Sequence, residues 1–172
     1  MRAALELFDE RGYDATTAAA IAERAGVTEM TFFRYFPSKD SVLVADPYDP
    51  PIAEAIIHQP AGLTPLAAAI GAIADGWKAV PAPANSEVRD RLRIVARTPS
   101  LRGAIARNNA ATEEAIAGAL IRRGAVKTEA RIAAAATMAA LSAALLDWAD
   151  GDGADLGTAI DAALRVLRGE SR

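Results

Sequence analysis

Helix caps divide this chain into segments, and this feature constrains its fold most. A Ser or Thr stands at the start of most segments, where its side-chain oxygen can accept a hydrogen bond from an unpaired backbone N–H. The candidate caps are Thr17, Thr28, Ser38, Thr64, Ser86, Thr98 and Thr128. In Thr64-Pro65 and Thr98-Pro99 a proline follows the cap, as is typical of a first helical turn. The pattern predicts nine or ten helices, no strand, and an all-α fold.

Composition supports this interpretation and excludes several function classes. Alanine fills 43 of the 172 positions, and alanine is the best helix former and a poor strand former. Cysteine is absent and His58 is the single histidine, so a disulfide scaffold and a cysteine or histidine metal site are not expected. No nucleophile motif, P-loop or dinucleotide fingerprint occurs. The sequence therefore predicts that the protein is not an enzyme and carries no cofactor and no metal.

No targeting or membrane-spanning segment is recognisable in the sequence. The N-terminus carries Arg2, Glu6, Asp9 and Glu10 and lacks the pattern of a signal peptide. The longest uncharged apolar run, 132–146, is too short for a membrane span and is interpreted as a buried helix. We therefore expect a cytoplasmic protein without a membrane partner.

The first 46 residues contain three short predicted helices followed by the start of a fourth. Ala25-Gly26-Val27 joins the second to the third, which is the spacing of a helix-turn-helix. Glycine suits this turn because it adopts backbone conformations that a side chain would penalise. Helix-turn-helix proteins place the second helix in the major groove and use its first residues on base edges. Here that helix begins Thr28-Glu29-Met30-Thr31, so the motif predicts DNA binding.

Residues 3–43 resemble the DNA-binding domain of TetR-type (tetracycline-repressor-like) bacterial regulators. The matching positions are Ala4, Leu7, Phe8, Gly12, Thr16, Thr17, Ile21, Ala22, Ala25, Gly26, Val27, Thr31, Phe33, Tyr35, Phe36, Lys39 and Leu43. Residues 47–168 are similar, less closely, to the C-terminal halves of regulators of the mycofactocin-regulator type. The resemblance implies a helix-turn-helix DNA-binding domain over residues 1–46. It implies a larger helical domain over residues 47–172 for ligand binding and dimerisation.

The resemblance also implies which side chains contact double-stranded DNA. Bases or adjacent phosphates would be contacted by Thr28, Met30 and Thr31, and phosphates by Thr17, Tyr35 and Lys39. The family usually has tyrosine where this chain has Phe33, so Arg34 is expected to replace the missing phosphate contact. Two interpretations of Glu29 stay open. Its carboxylate can accept from cytosine N4, or it can complement the positive end of its own helix.

The charge of this region is unfavourable for a DNA-binding domain. Residues 1–46 hold five basic and eight acidic residues, a net charge of −3, whereas DNA affinity comes largely from phosphate neutralisation. Either the native chain starts upstream of Met1 with a basic arm, or DNA binding is weak. An alternative function is therefore a helical dimer that binds a small molecule and has weak or lost DNA binding.

The C-terminal half supplies candidate effector and dimer residues. The candidates for contacting a small-molecule effector of unknown identity are Trp77, Arg93, Asn109, Met138 and Trp148. Ordinary core packing is the alternative for the Trp and Met residues, and a solvated helix face for Arg93. The candidates for the dimer interface are Ala133, Ala136, Ala140, Leu141, Ala144, Leu145, Leu156, Ile160 and Leu164. Small residues let helices approach closely, although the same residues can form an intramolecular core.

Together these patterns predict a bacterial, nucleoid-associated transcriptional regulator. We expect a ligand-responsive repressor that binds a palindromic operator as a homodimer. The resemblance implies that a ligand in the C-terminal half changes the pose of the fourth helix. The proline cluster between Pro47 and Pro51 falls where that helix meets the C-terminal domain, so the cluster is the expected hinge.

Overall fold

The computed structural model describes residues 1–44, 49–79, 85–151 and 155–170. Within these ranges the chain forms ten α-helices and one short 3₁₀ turn, with no strand, so the all-α prediction is confirmed. The helices are α1 (Arg2–Arg11), α2 (Ala18–Arg24), α3 (Glu29–Tyr35), α4 (Ser41–Val44), α5 (Asp49–His58), α6 (Pro65–Ala79), α7 (Asn85–Arg97), α8 (Arg102–Arg122), α9 (Lys127–Asp150) and α10 (Leu156–Leu167).

The chain divides into two compact units. Unit 1 comprises Met1–Ala45 and Ser86–Asn108, and unit 2 comprises Asp46–Asn85 and Asn109–Arg172. The predicted boundary near residue 46 separates the first two segments but does not anticipate that residues 86–108 return to pack with the N-terminal helices. The division falls within the residues of α8, between Asn108 and Asn109.

The core of unit 1 joins α1 to α4 with the returning segment. Leu7, Phe32 and Val42 are buried in one cluster with Val95 and Leu101, which come from α7 and the 3₁₀ turn (Pro99–Leu101). Two sets of polar contacts reinforce this packing. The Arg91 guanidinium donates to the Leu43 carbonyl at 2.9 and 3.3 Å, and the Ser100 hydroxyl donates to Asp14 at 2.7 Å.

Unit 2 is an alanine-rich bundle in which α6 and α10 pack on α9, and α5 packs on α6. Its main cluster buries Ile56, Ile116 and Leu120 among small side chains. Arg123, just beyond α8, donates to the carbonyls of Ile57, Gln59 and Pro60 at 3.1, 2.5 and 2.7 Å. Because the last carbonyls of a helix lack intrahelical partners, Arg123 satisfies acceptors at the C-terminal end of α5.

Several predicted helix starts are confirmed and others need correction. Thr17, Thr28 and Thr64 each accept a hydrogen bond from a backbone N–H three residues on. Ser38 also accepts from the N–H of the third residue on, at 3.3 Å, but the helix α4 itself begins at Ser41. The Thr98 hydroxyl instead donates back to Ile94, and a 3₁₀ turn precedes α8.

The predicted start of α9 also differs from the structure. Val126, rather than Thr128, precedes α9, and it makes no side-chain cap. Pro50 and Pro51 lie in the first turn of α5, where a proline removes no intrahelical hydrogen bond. Pro47 of the expected hinge lies outside the described residues, so the hinge hypothesis stays a prediction.

Candidate nucleic-acid interface

The helix-turn-helix is built by two capped helices and one glycine turn. The hydroxyl of Thr17 accepts from the Ala20 N–H at 3.1 Å, and that of Thr28 accepts from the Thr31 N–H at 3.2 Å. Gly26 has a φ of +69° between the two helices, a left-handed conformation that glycine adopts without penalty. The turn is closed by the Val27 N–H, which donates to the Ala22 carbonyl at 3.0 Å.

Aromatic packing fixes the orientation of α3. The Phe32 side chain is 5% exposed within the unit 1 core, and Ile21 of α2 is buried in the same cluster. The Phe32 ring lies 5.5 Å from that of Phe36, which follows α3. Val27, in the turn itself, is 41% exposed. The buried side of α3 therefore rests on Phe32.

Among the exposed side chains of α3, four lie next to one another and are here called the α3 outer face: Glu29, Met30, Phe33 and Arg34. Met30 is 84% exposed and Phe33 is 45% exposed. The Phe33 ring stands edge to face on Phe32 at 5.2 Å between centroids. Phe33 thus packs against Phe32 and also presents nearly half of its surface to solvent.

The predicted phosphate and base contacts fall into two groups. Tyr35 is 68% exposed and Arg34 is exposed as well, so both side chains are accessible to a ligand. The Arg34 guanidinium lies 5.1 Å from the centroid of the Tyr35 ring. Thr17 and Thr28 are exposed but use their hydroxyls as helix caps. Thr31 is half-buried, and its hydroxyl accepts from that of Thr28 at 3.1 Å.

Lys39, for which a phosphate contact was predicted, makes internal contacts in the structure. Its ammonium donates to the carbonyls of Tyr13 and Thr16, each at 2.8 Å. It also lies 4.0 Å from the centroid of the Tyr13 ring, within the range of a cation–π interaction. An ammonium has three N–H donors, and two of them are already used in the loop between α1 and α2. Sequence spacing could not show these contacts because they join residues 23 and 26 positions apart.

Tyr13 and Asp40 extend this network, although no sequence pattern pointed to either residue. The Tyr13 hydroxyl donates to Asp40 Oδ1 at 3.0 Å, and Arg107 Nη2 lies 3.6 Å from Asp40 Oδ2. Burial of Tyr13 is the main cause that raises its pKa, and the hydrogen bond to Asp40 adds to the effect. The carboxylate of Asp40 thus connects the loop before α2 to α8 within unit 1.

Two other cations of the first 44 residues, Arg2 and Arg24, are paired with acids. Arg24 makes a two-fold contact with Glu10 at 3.0 and 2.9 Å and lies 3.7 Å from Glu6. Arg2 lies 3.4 Å from the same Glu6. The hydrogen bond from Arg24 is the main cause that lowers the pKa of Glu10. These pairs reduce the positive charge that this surface can offer to a polyanion.

The five effector candidates are distributed over both units. Arg93 belongs to unit 1, whereas the other four belong to unit 2. The Asn109 amide donates to the Ser142 hydroxyl at 3.2 Å, linking α8 to α9. Met138, one helical turn before Ser142 on α9, packs against the unit 2 cluster. Trp148 is only 6% exposed, and it lies ten residues beyond Met138, about 15 Å along the helix axis. A methyl group at Gly157 would lie 3.1 Å from Trp77 Nε1, so Trp77 lies beside the start of α10.

None of the candidate dimer residues lies on the exposed side of α9. Leu156, Ile160, Leu164 and Ala133 are buried inside unit 2, and their part in a dimer interface stays a prediction. Half-buried positions hold Ala136, Ala140, Leu141, Ala144 and Leu145. The exposed apolar side of α9 is instead formed by Ile132, Ala135, Ala139, Ala143 and Leu146, here called the α9 stripe. Where alanines follow one another the apolar period cannot tell one side of the helix from another, so the sequence alone did not single out this stripe.

Two further findings bear on the class of protein. Among the described residues, no group of three acidic or histidine side chains could hold a metal ion. The described helix α9 is long and apolar enough to cross a membrane by length and composition. Its packing against α6 and α10, however, is that of a bundle helix in a folded domain.

Comparison with known families identifies the class that this helix-turn-helix and bundle define. Residues 1–45 match the model of bacterial regulatory proteins of the tetR family, and residues 63–171 match that of the MftR C-terminal domain. The HTH-type transcriptional regulator TcmR of Streptomyces glaucescens is 32% identical over 192 aligned residues, which span 99% of this chain and 81% of TcmR. The chain therefore belongs to the TetR family of transcriptional regulators.

A solved structure shares the fold. It is that of FadR from Thermus thermophilus, a TetR family transcriptional repressor in complex with lauroyl-CoA. The two chains are 24% identical, with a TM-score of 0.50, over 97% of this chain and 90% of FadR. This likeness supports the arrangement of an N-terminal helix-turn-helix and a helical C-terminal region.

Proposed function

We propose that this regulator is a homodimeric repressor that binds a palindromic operator and releases it when a small molecule binds. The observation that carries the proposal is the α3 outer face: a short helix, capped by Thr28 and seated on Phe32, that presents accessible side chains opposite its core. A helix of this kind is what a helix-turn-helix inserts into a major groove. Residues 1–46 would bind DNA, in the bacterial cytoplasm on the nucleoid.

Contacts to DNA follow from accessibility. Arg34 and Tyr35 are exposed and suited to phosphate. Met30 is exposed and suited to base edges, as is Glu29 if it accepts from cytosine N4. Because the Lys39 ammonium donates to carbonyls inside unit 1, Lys39 would hold the loop before α2 in position and would not itself bind a DNA phosphate.

The homodimer would bury the α9 stripe. From Ile132 to Leu146 this stripe carries no charge and contains three alanines, so two copies can approach closely around a twofold axis. Ile132 is 64% exposed in the single chain, which leaves a large apolar side chain for a partner copy to cover. A dimer of this kind would present two copies of α3 to successive major grooves, about 34–36 Å apart.

An effector would act through unit 2. Residues 47–172 supply the predicted ligand-binding part, with Trp77, Asn109 and Met138 as accessible candidates. Asn109 contacts Ser142 in unit 2, while Arg107, two residues earlier on the same continuous helix, lies next to Asp40 in unit 1. A ligand that shifts α8 would therefore strain contacts at both ends of this short stretch.

The test is selection of DNA from genomic fragments by the full chain, at low and at physiological salt. We expect recovery of a palindrome whose affinity falls with salt, as phosphate neutralisation requires. Arg34→Ala should reduce the steepness of the salt dependence by about 0.9 for each phosphate that is no longer neutralised, or nearly two over both half-sites. Arg122→Ala, which removes the same charge from an exposed position in unit 2, is the matched control and should leave the slope unchanged.

A second candidate is a helical dimer that binds a small molecule and has weak or lost DNA binding. The observation that favours it is the pairing of Arg2 and Arg24 with Glu6 and Glu10, together with the internal position of Lys39. A folded dimer that recovers no fragment even at low salt would select this second candidate and reject the first.

A further inference from the structure

The α3 outer face has an apolar centre and charged edges. Successive residues of an α-helix are rotated by about 100°, so Glu29, Phe33, Met30 and Arg34 follow one another around the exposed side. The acid and the base stand at the two ends of this arc, and the two apolar side chains occupy its middle. Since phosphate contact favours cations, the middle of this face is suited to something other than the DNA backbone.

The two apolar side chains are both accessible, and one of them is held in place. Met30 is 84% and Phe33 45% exposed, which is a costly arrangement for large apolar groups unless a partner covers them. The Phe33 ring rests edge to face on Phe32, 5.2 Å between centroids, and Phe32 is fixed in the unit 1 core. The pair thus combines a rigid ring with a flexible thioether that adapts to its partner.

The major groove offers one apolar group to such a pair, the C5 methyl of thymine. Met30 and Phe33 are three residues apart, about 4.5 Å along the helix axis and about 60° around it, so both side chains can enter the groove that α3 occupies, at neighbouring positions. We infer that Met30 and Phe33 recognise thymine methyl groups on two adjacent base pairs at the centre of each operator half-site. The inference rests on the proposed function and specifies what the α3 outer face recognises.

The test replaces thymine by deoxyuridine, which keeps base pairing and removes only the methyl group. The operator recovered with the full chain is resynthesised with this change at each thymine in turn, in both half-sites. Loss of about 0.8 kcal/mol per buried methyl corresponds to about fourfold in Kd for each, and hence about fifteenfold for a symmetric pair. The wild type should lose this affinity at two adjacent positions of each half-site.

Variants then assign each methyl to its side chain. Met30→Ala should bind thymine and deoxyuridine operators equally at one of the two positions, and Phe33→Ala at the other. Val126→Ala, which truncates an exposed side chain in unit 2, is the matched control and should keep the full sensitivity. Thermal unfolding followed by circular dichroism verifies that each variant is folded.

The outcomes separate the inference from the proposed function. An operator that binds tightly and loses nothing on deoxyuridine substitution in the wild type overturns the inference and leaves the regulator proposal intact. Because this measurement uses only the wild type, it tests the inference even if Phe33→Ala fails to fold. Recovery of no operator by a folded chain overturns both. Methyl sensitivity that persists unchanged in Met30→Ala and in Phe33→Ala also overturns the inference.

Discussion

At the scale of single residues, Lys39 and Arg34 have different surroundings in the structure, although the sequence predicted the same contact for both. Lys39 and Arg34 are both cations near the end of the helix-turn-helix, and both were expected to contact phosphate. Lys39 instead donates to the Tyr13 and Thr16 carbonyls, whereas Arg34 is exposed. Their substitutions should therefore change different observables.

Lys39→Met tests the internal role, because methionine keeps most of the apolar stem and removes the ammonium. Hydrogen bonds from a charged group contribute about 1.5–3 kcal/mol each, and Lys39 is half-buried, so we expect a loss of about 2 kcal/mol in the free energy of unfolding. Denaturant titration measures this loss. The salt slope of DNA binding should stay as in the wild type.

Arg34→Gln provides the complementary control for Lys39→Met. It should leave the free energy of unfolding within about 0.5 kcal/mol, as is usual for exposed positions, and reduce the salt slope. The internal role of Lys39 would be rejected if Lys39→Met reduced the salt slope and left stability unchanged.

At the scale of secondary-structure elements, capping chemistry made much of the helical pattern predictable. Thr17, Thr28 and Thr64 sit where the sequence placed them because a cap depends on atoms only three residues away. The prediction is wrong where another local preference prevails. The Thr98 hydroxyl donates to Ile94 of the preceding turn, so the same residue that resembles a cap ends one helix instead.

Contacts between secondary-structure elements could not be predicted from the sequence. The guanidinium of Arg123 binds three carbonyls that lie 63 to 66 residues earlier in the chain, and no spacing rule connects them. The α3 outer face was only partly predictable: Met30 was expected as a base contact, whereas exposure of Phe33 depends on how Phe32 seats in the core. The side of α9 that faces solvent likewise depends on which alanines pack against α6 and α10.

Arg123→Met tests how far one side chain stabilises the end of α5. The variant leaves the carbonyls of Ile57, Gln59 and Pro60 without their charged donor. We expect a loss of about 2 kcal/mol in the free energy of unfolding, after allowing for water that replaces part of these bonds. Denaturant titration of Arg122→Met, one residue earlier and exposed, gives the matched control, for which about 0.5 kcal/mol or less is expected. Equal stability of the two variants would contradict this role of Arg123.

At the scale of the whole molecule, α9 contributes residues both to the core of unit 2 and to the proposed dimer interface. The buried residues of α9 and α10 stabilise unit 2, and the α9 stripe on the opposite side stays exposed in one chain. An apolar stripe of this length on a folded domain indicates a partner surface. In the proposed dimer a second copy covers it, and the spacing of the two α3 helices is then fixed by how the copies pack. Operator affinity is expected to depend on a surface that never contacts DNA.

Ala139→Glu places a charge at the centre of the α9 stripe and should convert the dimer to a monomer, because two copies of the carboxylate would meet near the twofold axis without partners. Sedimentation equilibrium measures the mass, and circular dichroism should show unchanged helicity because Ala139 is exposed in the single chain. Ala111→Glu, the same substitution at an exposed position of α8, should remain dimeric. The monomer should bind the palindrome with at least about tenfold lower affinity, since only one half-site is engaged at a time. A dimeric Ala139→Glu would reject the α9 stripe as the interface, and a monomeric wild type would reject the homodimer itself.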